Sequence, residues 1–276
     1  MVVVDFWTYS CVNCVRTIPY LKAWCQAYKD SGLVIIGVHT PEFEFDKNPA
    51  NVARAIKELG VTWPVVQDND YAQWNAYANQ YWPAHYFIDA RGRGRYFHFG
   101  EGDYATSERV IQALLKEAGA RVDGTIVSPP AQNIDSQTPE TYLGYDRGRG
   151  FLSAVEPVAD QVKDYRPSGR PSNGMWNLTG KWTITPQYIV PKSSGSLELG
   201  FKARNVFLVI EPQSSGGRIE VKVDGRPVVD TPDVKNGVLQ PNESRMYHLV
   251  ELKQPGSHLL ELEVKGKLRL FAFTFG

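Results

Sequence analysis

The sequence predicts two folded units in series: an α/β unit with a mixed sheet over residues 1–120, then an all-β unit over 145–276, joined by a linker at 121–144. Three observations carry this. Residues 1–119 alternate short apolar, β-branched runs with stretches of helical periodicity. Residues 121–149 are rich in Pro, Gly, Ser, Thr and Asn, include Ser128-Pro-Pro130, and show neither period. Beyond them the texture changes to short alternating runs separated by turn residues.

The elements follow in order. Val2 to Phe6 reads as a buried strand, Trp7-Thr-Tyr-Ser10 as a loop, and Cys11 opens a helix that ends near Asp30-Ser-Gly32. Leu33 to Val38 is a second buried strand, and Asn48 to Leu59 is an amphipathic helix with Asn48-Pro49 as its start and Gly60 as its stop. That alternation predicts a right-handed βαβ unit. Trp63 to Gln67 is a short extended piece and Tyr71 to Ala78 a short helix. Tyr86 to Asp89 and Arg95 to Phe99 form a hairpin around Ala90-Arg-Gly-Arg-Gly94, and Thr106 to Ala118 closes the unit as a helix with Gly119 just past its end. In the second half the runs 180–190, 195–201, 206–211, 218–223, 244–252, 258–264 and 268–275 predict about seven strands in a β-sandwich.

A chain of 276 residues with 42% hydrophobic residues can bury two cores. Thirty basic and thirty acidic residues cancel, so no global charge recommends nucleic acid as a partner. No apolar run reaches eighteen residues, and the start lacks the basic flank of a signal peptide, so the chain reads as a soluble piece. Because Met1 leads straight into a buried strand, the expectation is a domain cut from something longer.

Three cysteines are too few for a disulfide scaffold, which makes their placement informative. Cys11 and Cys14 stand three apart at a strand–loop–helix junction. There Cys11 meets the free N–H groups and the positive dipole end that stabilise a thiolate, and Cys14 lies one turn on, placed to attack a mixed disulfide formed by Cys11. The competing readings are a metal knuckle, which would need a second ligand pair, and two incidental buried thiols. Cys25, three turns further along, is about 16 Å away and reads as a structural thiol.

Val4-Asp-Phe-Trp7, Cys11-Val-Asn-Cys14, Pro19 and Pro83 ahead of a strand together resemble the thioredoxin superfamily over residues 1–119. The inserted helix at 48–59 and Pro64-Val-Val-Gln-Asp68 are similar to its extracytoplasmic TlpA/ResA-like branch. The strings Phe6 to Cys14, Gly37-Val-His-Thr-Pro-Glu42 and Gln67-Asp-Asn-Asp70 resemble the C-terminal region of the DipZ family of CcdA-linked thiol–disulfide interchange proteins. The resemblance implies a thioredoxin fold and a cis Pro83 shaping the client groove. It implies a protein disulfide reductase placed outside the cytoplasmic membrane and tethered there in the full-length protein. A CcdA-like membrane donor on the same chain would supply electrons and client proteins would receive them, with the Cys11–Cys14 pair as redox centre and no other cofactor. Ser10 and the Val12-Asn13 pair depart from the common patterns.

Further residues carry paired readings. Glu42 matches a glutamate that ResA-like proteins hold near their cysteines and would shuttle the Cys14 proton, or else is a solvated loop acid, with Glu44 the weaker candidate. His39 and His85 sit at strand ends, either tuning the cysteines or packed as ordinary histidines. Trp7 either faces clients or fills the core, and Trp82 flanks the proline. In the second half Trp176, Trp182, Tyr188 and Arg204, with Asn173 and Asn177, have the composition of a glycan site, so the sandwich is expected to be a jelly roll like a carbohydrate-binding module that takes cell-wall carbohydrate. Client docking and structural support are its alternatives, and no catalytic triad is expected there. Against the reductase stand a glycan-binding protein with a passive redox-like spacer and a metal chaperone using Cys11, Cys14 and a histidine.

Overall fold

The computed structural model describes residues 1–130 and 137–276. The chain divides into two compact units, Met1–Asn133 and Ile134–Gly276.

The first unit is a five-stranded sheet in the order β3-β2-β1-β4-β5, formed by β1 (Val2–Trp7), β2 (Val34–His39), β3 (Val65–Gln67), β4 (Ala84–Ile88) and β5 (Gly94–Phe99). The first three strands are parallel; β4 and β5 are antiparallel additions, as the hairpin signal predicts. Four helices complete it: α1 (Val12–Tyr28), α2 (Pro49–Leu59), α3 (Ala72–Ala76) and α4 (Tyr104–Glu117). Local chemistry sets the ends of α2. Asn48 accepts the Ala50 N–H at 2.9 Å, Pro49 takes the first turn, and Gly60 closes at φ +60°, which a side chain would strain.

Alternation along β1 sorts its residues between two cores. Val3 joins Phe87, Trp24, Leu21, Ile111 and Leu115 beneath α1 and α4, whereas Val4 and Phe6 join Tyr86, Trp74 and Tyr77 on the α3 side. Each fully buried leucine or isoleucine contributes about 1.5–3 kcal/mol.

The stretch expected as a linker, 121–144, is not free chain where it is described; residues 131–136 lie outside the described residues. Glu108 on α4 accepts the Val127 and Ser128 N–H groups at 2.7 and 2.8 Å and the Ser128 and Tyr28 hydroxyls at 2.5 Å each. Trp24 Nε1 donates to Ser128 Oγ at 2.9 Å. At the other end, Thr141–Tyr142 forms a strand, β6. Polar, turn-rich composition marks non-periodic chain, and it says nothing about whether a neighbouring surface holds that chain.

The second unit is all β. The short strands β7 (Phe151–Leu152) and β8 (Val162–Tyr165) pair with β9 (Trp176–Ile184), which pairs with β10 (Ile189–Val223); β11 (Arg226–Pro227), β12 (Val234–Lys235) and β13 (Val238–Leu239) lie along one side, and β14 (Arg245–Phe275) ends the chain. Six of the expected runs are absorbed into β10 and β14, each of which passes through the ladder more than once. Leu262 pairs with Leu197 on one side and Val221 on the other; Leu208 pairs with Phe273 and Tyr247. All six side chains belong to one core cluster.

That core corrects the glycan reading. Trp176 and Trp182 are fully buried in it, their indole N–H groups donating to Arg149 O at 2.8 Å and Thr179 O at 3.0 Å, so neither offers a face to a sugar. Alternation along β9 turns both rings inward.

Candidate active site

Because β1 and β2 run parallel and β4 antiparallel, with Trp7 opposite His39 and Phe6 opposite Ala84, three chain segments meet at one end of the central strands. They are the loop Thr8–Ser10 leading into α1, the segment after His39, and Pro83 just ahead of β4.

Cys11 is the N-cap of α1, with extended φ −97° and ψ 115°, and its Sγ accepts the Cys14 N–H at 3.2 Å. A sulfur in this position receives a helix-end amide and the positive end of the dipole, both of which favour its thiolate. Cys11 is itself buried, with 4% of its surface exposed; Cys14 lies deeper still. It is fully buried, and its thiol is pushed well above the ordinary value, chiefly by burial, then by the hydrogen bond and charge of Cys11, with Asp5 adding to the effect and Thr8 opposing it. Both cysteines are thiols in the structure.

The carboxylate whose charge bears on Cys14 is Asp5, a residue the sequence reading quotes only within its strand motif. Asp5 is fully buried beside the equally buried His85, Oδ1 to Nε2 3.3 Å, at angles short of hydrogen-bond geometry. A lone acid inside the apolar run Val2–Trp7 is the signal that would have found it. Glu42 is half-buried and gives its N–H to Asp46 Oδ2 at 3.1 Å.

Asp46 is the second carboxylate that sequence reasoning passed over. It is fully buried and also accepts the Phe43 N–H at 2.9 Å and the Ser10 hydroxyl at 2.8 Å, which ties it to the residue before Cys11. Burial pushes its carboxyl up to about 7 against the pull of those donors. Glu44 is solvated and paired with Lys47 at 2.7 Å.

The Trp82–Pro83 peptide is cis, the geometry expected of it. Trp82 packs on Trp74 with centroids 4.2 Å apart and donates to Thr40 O at 3.1 Å, fastening the proline loop to the end of β2. Trp7 is fully buried, which favours its core-filling reading over a client face; Gly37 makes room, since a Cβ there would stand 3.0 Å from the Trp7 Nε1. His39 is buried edge-on to Trp7 and stacked on Tyr9, with Nε2 3.3 Å from Thr8 Oγ1, and burial lowers it to about 4. It is therefore a neutral, packed histidine at pH 7. Cys25 is half-buried against the α1–α4 core. Among the described residues no group of three His, Cys, Asp or Glu side chains could hold a metal, and no helix is long and apolar enough to cross a membrane.

In the second unit the remaining expected glycan residues have partners within the chain, and Arg204 stays exposed. Tyr188 lies under the Arg269 guanidinium, 4.8 Å from its centroid, and beside Phe271. Arg204 donates to Leu252 O at 3.1 Å and lies 3.6 Å from Glu251. Asn177 bonds Gly169 O and Glu198, and Asn173 accepts from Thr138.

Residues 138–276 match the family described as thioredoxin like C-terminal domain, and residues 1–97 match the AhpC/TSA family. Protein DipZ of Mycobacterium bovis is 36% identical over the whole chain, which spans 39% of its length. The thiol-disulfide oxidoreductase YkuV of Bacillus subtilis is 31% identical over 114 residues, 41% of this chain and 76% of that protein. A solved thiol-disulfide isomerase from Corynebacterium glutamicum is 24% identical, covers 41% of this chain and 79% of its own, and superposes with a TM-score of 0.39.

Proposed function

The chain belongs to the thiol–disulfide oxidoreductase family, with a thioredoxin-like first unit and the C-terminal domain that accompanies it in relatives, and from that premise we propose that it reduces disulfides in client proteins. One observation carries the reading: two thiols three residues apart share a helix N-terminus, one as its cap and the other sealed beneath it. The Cys11 thiolate attacks a client disulfide, forming an Sγ–Sγ bond to the client and expelling the client's second sulfur, which takes a proton from water. Cys14 then attacks Cys11 Sγ, the bond to the client breaks, and two electrons have passed from the dithiol to the client. Cys14 must lose its proton in that step, and we assign the acceptor's part to Asp5, the buried carboxylate whose charge acts on the Cys14 thiol. Pro83 and Trp82 border the end where the client chain lies.

We further read the chain as the extracytoplasmic, tethered part of a longer protein whose CcdA-like membrane region supplies the electrons; the match to 39% of DipZ supports this. The β unit, which we take to be a jelly roll, we read as support or client docking, because burial of both tryptophans removes the main ground for glycan capture.

The test is turnover of a model disulfide protein by the purified chain with a small dithiol as donor. Cys11→Ser abolishes turnover above the buffer background, and Cys14→Ser accumulates a mixed disulfide through Cys11. Retained turnover in Cys11→Ser would sink the reading.

A further inference from the structure

Resolution by Cys14 delivers a proton to a carboxylate that has no contact with solvent, and such a step can repeat only if the proton leaves. The register of the first sheet supplies a line of side chains that leads outward. Asp5 on β1 stands opposite His85 on β4, and His85 stands opposite His98 on β5, the edge strand. By alternation the three share the face that carries Val3, Phe87 and Tyr96 beneath α1 and α4.

Distances and burial grade along this row. Asp5 Oδ1 is 3.3 Å from His85 Nε2, and the rings of His85 and His98 are parallel within 8° with centroids 6.2 Å apart, a separation that one water spans. Asp5 and His85 are fully buried, whereas His98 is only half-buried. Both Asp5 oxygens, both His85 ring nitrogens and His98 Nε2 are buried without a hydrogen-bond partner among the described residues. Five such atoms concentrated in one row are costly as structure, since buried polar atoms are nearly always paired. The same atoms suit a path along which protons move.

We propose that Asp5, His85 and His98 form a proton relay that carries the Cys14 proton across the sheet to solvent at β5. The inference rests on the disulfide-exchange reading above. As the Cys14–Cys11 bond forms and the Cys11–client bond breaks, the Cys14 proton passes to Asp5 and then to His85 Nε2. His85 releases a proton from its other nitrogen toward His98, and His98 gives one up to water. The relay moves protons only; both electrons travel in the sulfur–sulfur bonds. Reduction of the Cys11–Cys14 disulfide runs the path inward.

The surroundings fit this direction. Asp5 lies beside His85 and its charge acts on Cys14, and Trp24 on α1 packs against His85. Burial, then the charge of His85, lowers His98, while Asp103 ahead of α4 and the Glu101 backbone raise it. Burial thus favours the neutral imidazole at His98, the form that can accept a proton.

The test separates the two exchange steps in the 276-residue chain with an aromatic disulfide reagent whose released thiolate absorbs light. Attack by Cys11 releases one equivalent and resolution by Cys14 the second. In His98→Phe, which keeps a flat ring at the position, the second release slows roughly tenfold. That is less than the about 10²-fold that loss of a directly placed acid–base group costs, because solvent still reaches His85 slowly. The first release is unchanged, the pH profile of the second is displaced, and added imidazole restores the rate. A His98→Phe chain that resolves at the wild-type rate and pH profile overturns the relay, and so does a deficit that imidazole leaves in place. If the wild-type chain never releases the second equivalent, the failure belongs to the exchange reading itself.

Discussion

Cys14 gives its backbone N–H to Cys11 Sγ at 3.2 Å while its own thiol is sealed from solvent, so two chemically identical side chains meet different surroundings within one helical turn. The cap sulfur gains an amide donor that favours its anion, whereas the Cys14 sulfur, fully out of water, faces the charge of its neighbour.

Replacing the cap residue separates chemistry from stability. Serine is itself a good N-cap, so Cys11→Ser changes stability by less than about 1 kcal/mol while ending turnover; Cys11→Ala loses the acceptor and about 1 kcal/mol as well. Urea unfolding alongside the client assay checks both.

Asp46 predicts a pH dependence of unusual sign for a carboxylate. Its folded pKa, about 7, lies above the unfolded value, so the folded state holds the proton that the unfolded chain has lost. Between about pH 4 and 7 this group therefore lowers stability as pH rises, at up to about 1.4 kcal/mol per unit, and the penalty is constant above 7. Asp46→Asn, which keeps an acceptor for Ser10 and Phe43, gains relative to wild type as pH rises through that window and then levels off. Unfolding at pH 5 and pH 8 measures the difference, and an equal offset at both would refute it.

Glu108→Ala strands the Val127 and Ser128 donors and is expected to cost about 2–4 kcal/mol. Hydrogen exchange at those two amides rises together with the loss. Four hydrogen bonds hold the Glu108 pKa below its ordinary value despite burial, so its contribution is present at neutral pH and fades as pH falls through the carboxylate range.

Gly195→Ala is expected to destabilise the β unit by about 1–3 kcal/mol, because the new Cβ would lie 2.3 Å from Trp182 Nε1. Trp182 fluorescence shifts with the change, and the thiol chemistry of the first unit does not.

The Cys-x-x-Cys pair and the helix ends at Asn48 and Gly60 were legible because each depends on spacing or backbone preference within a few residues, whereas the cis Pro83 was expected from the family resemblance. Asp46 was not legible: it is one acid among several between Glu42 and Asp46, and only the fold buries it against Ser10. Trp176 and Trp182 misled for the reverse reason, since composition shows that aromatics are present without showing which way a strand turns them.

What the sequence by itself determined is the order of elements, the mixed α/β unit ahead of a β unit, and the cysteine pair at a helix start, all consequences of periodicity and local geometry. Tertiary structure alone decided which carboxylate's charge acts on Cys14, that Glu108 pins 127–128, and that Asp5, His85 and His98 form one row. Those relationships join residues up to 93 positions apart through strand register and burial, and the energy of a buried charge depends on neighbours that only the folded chain brings near.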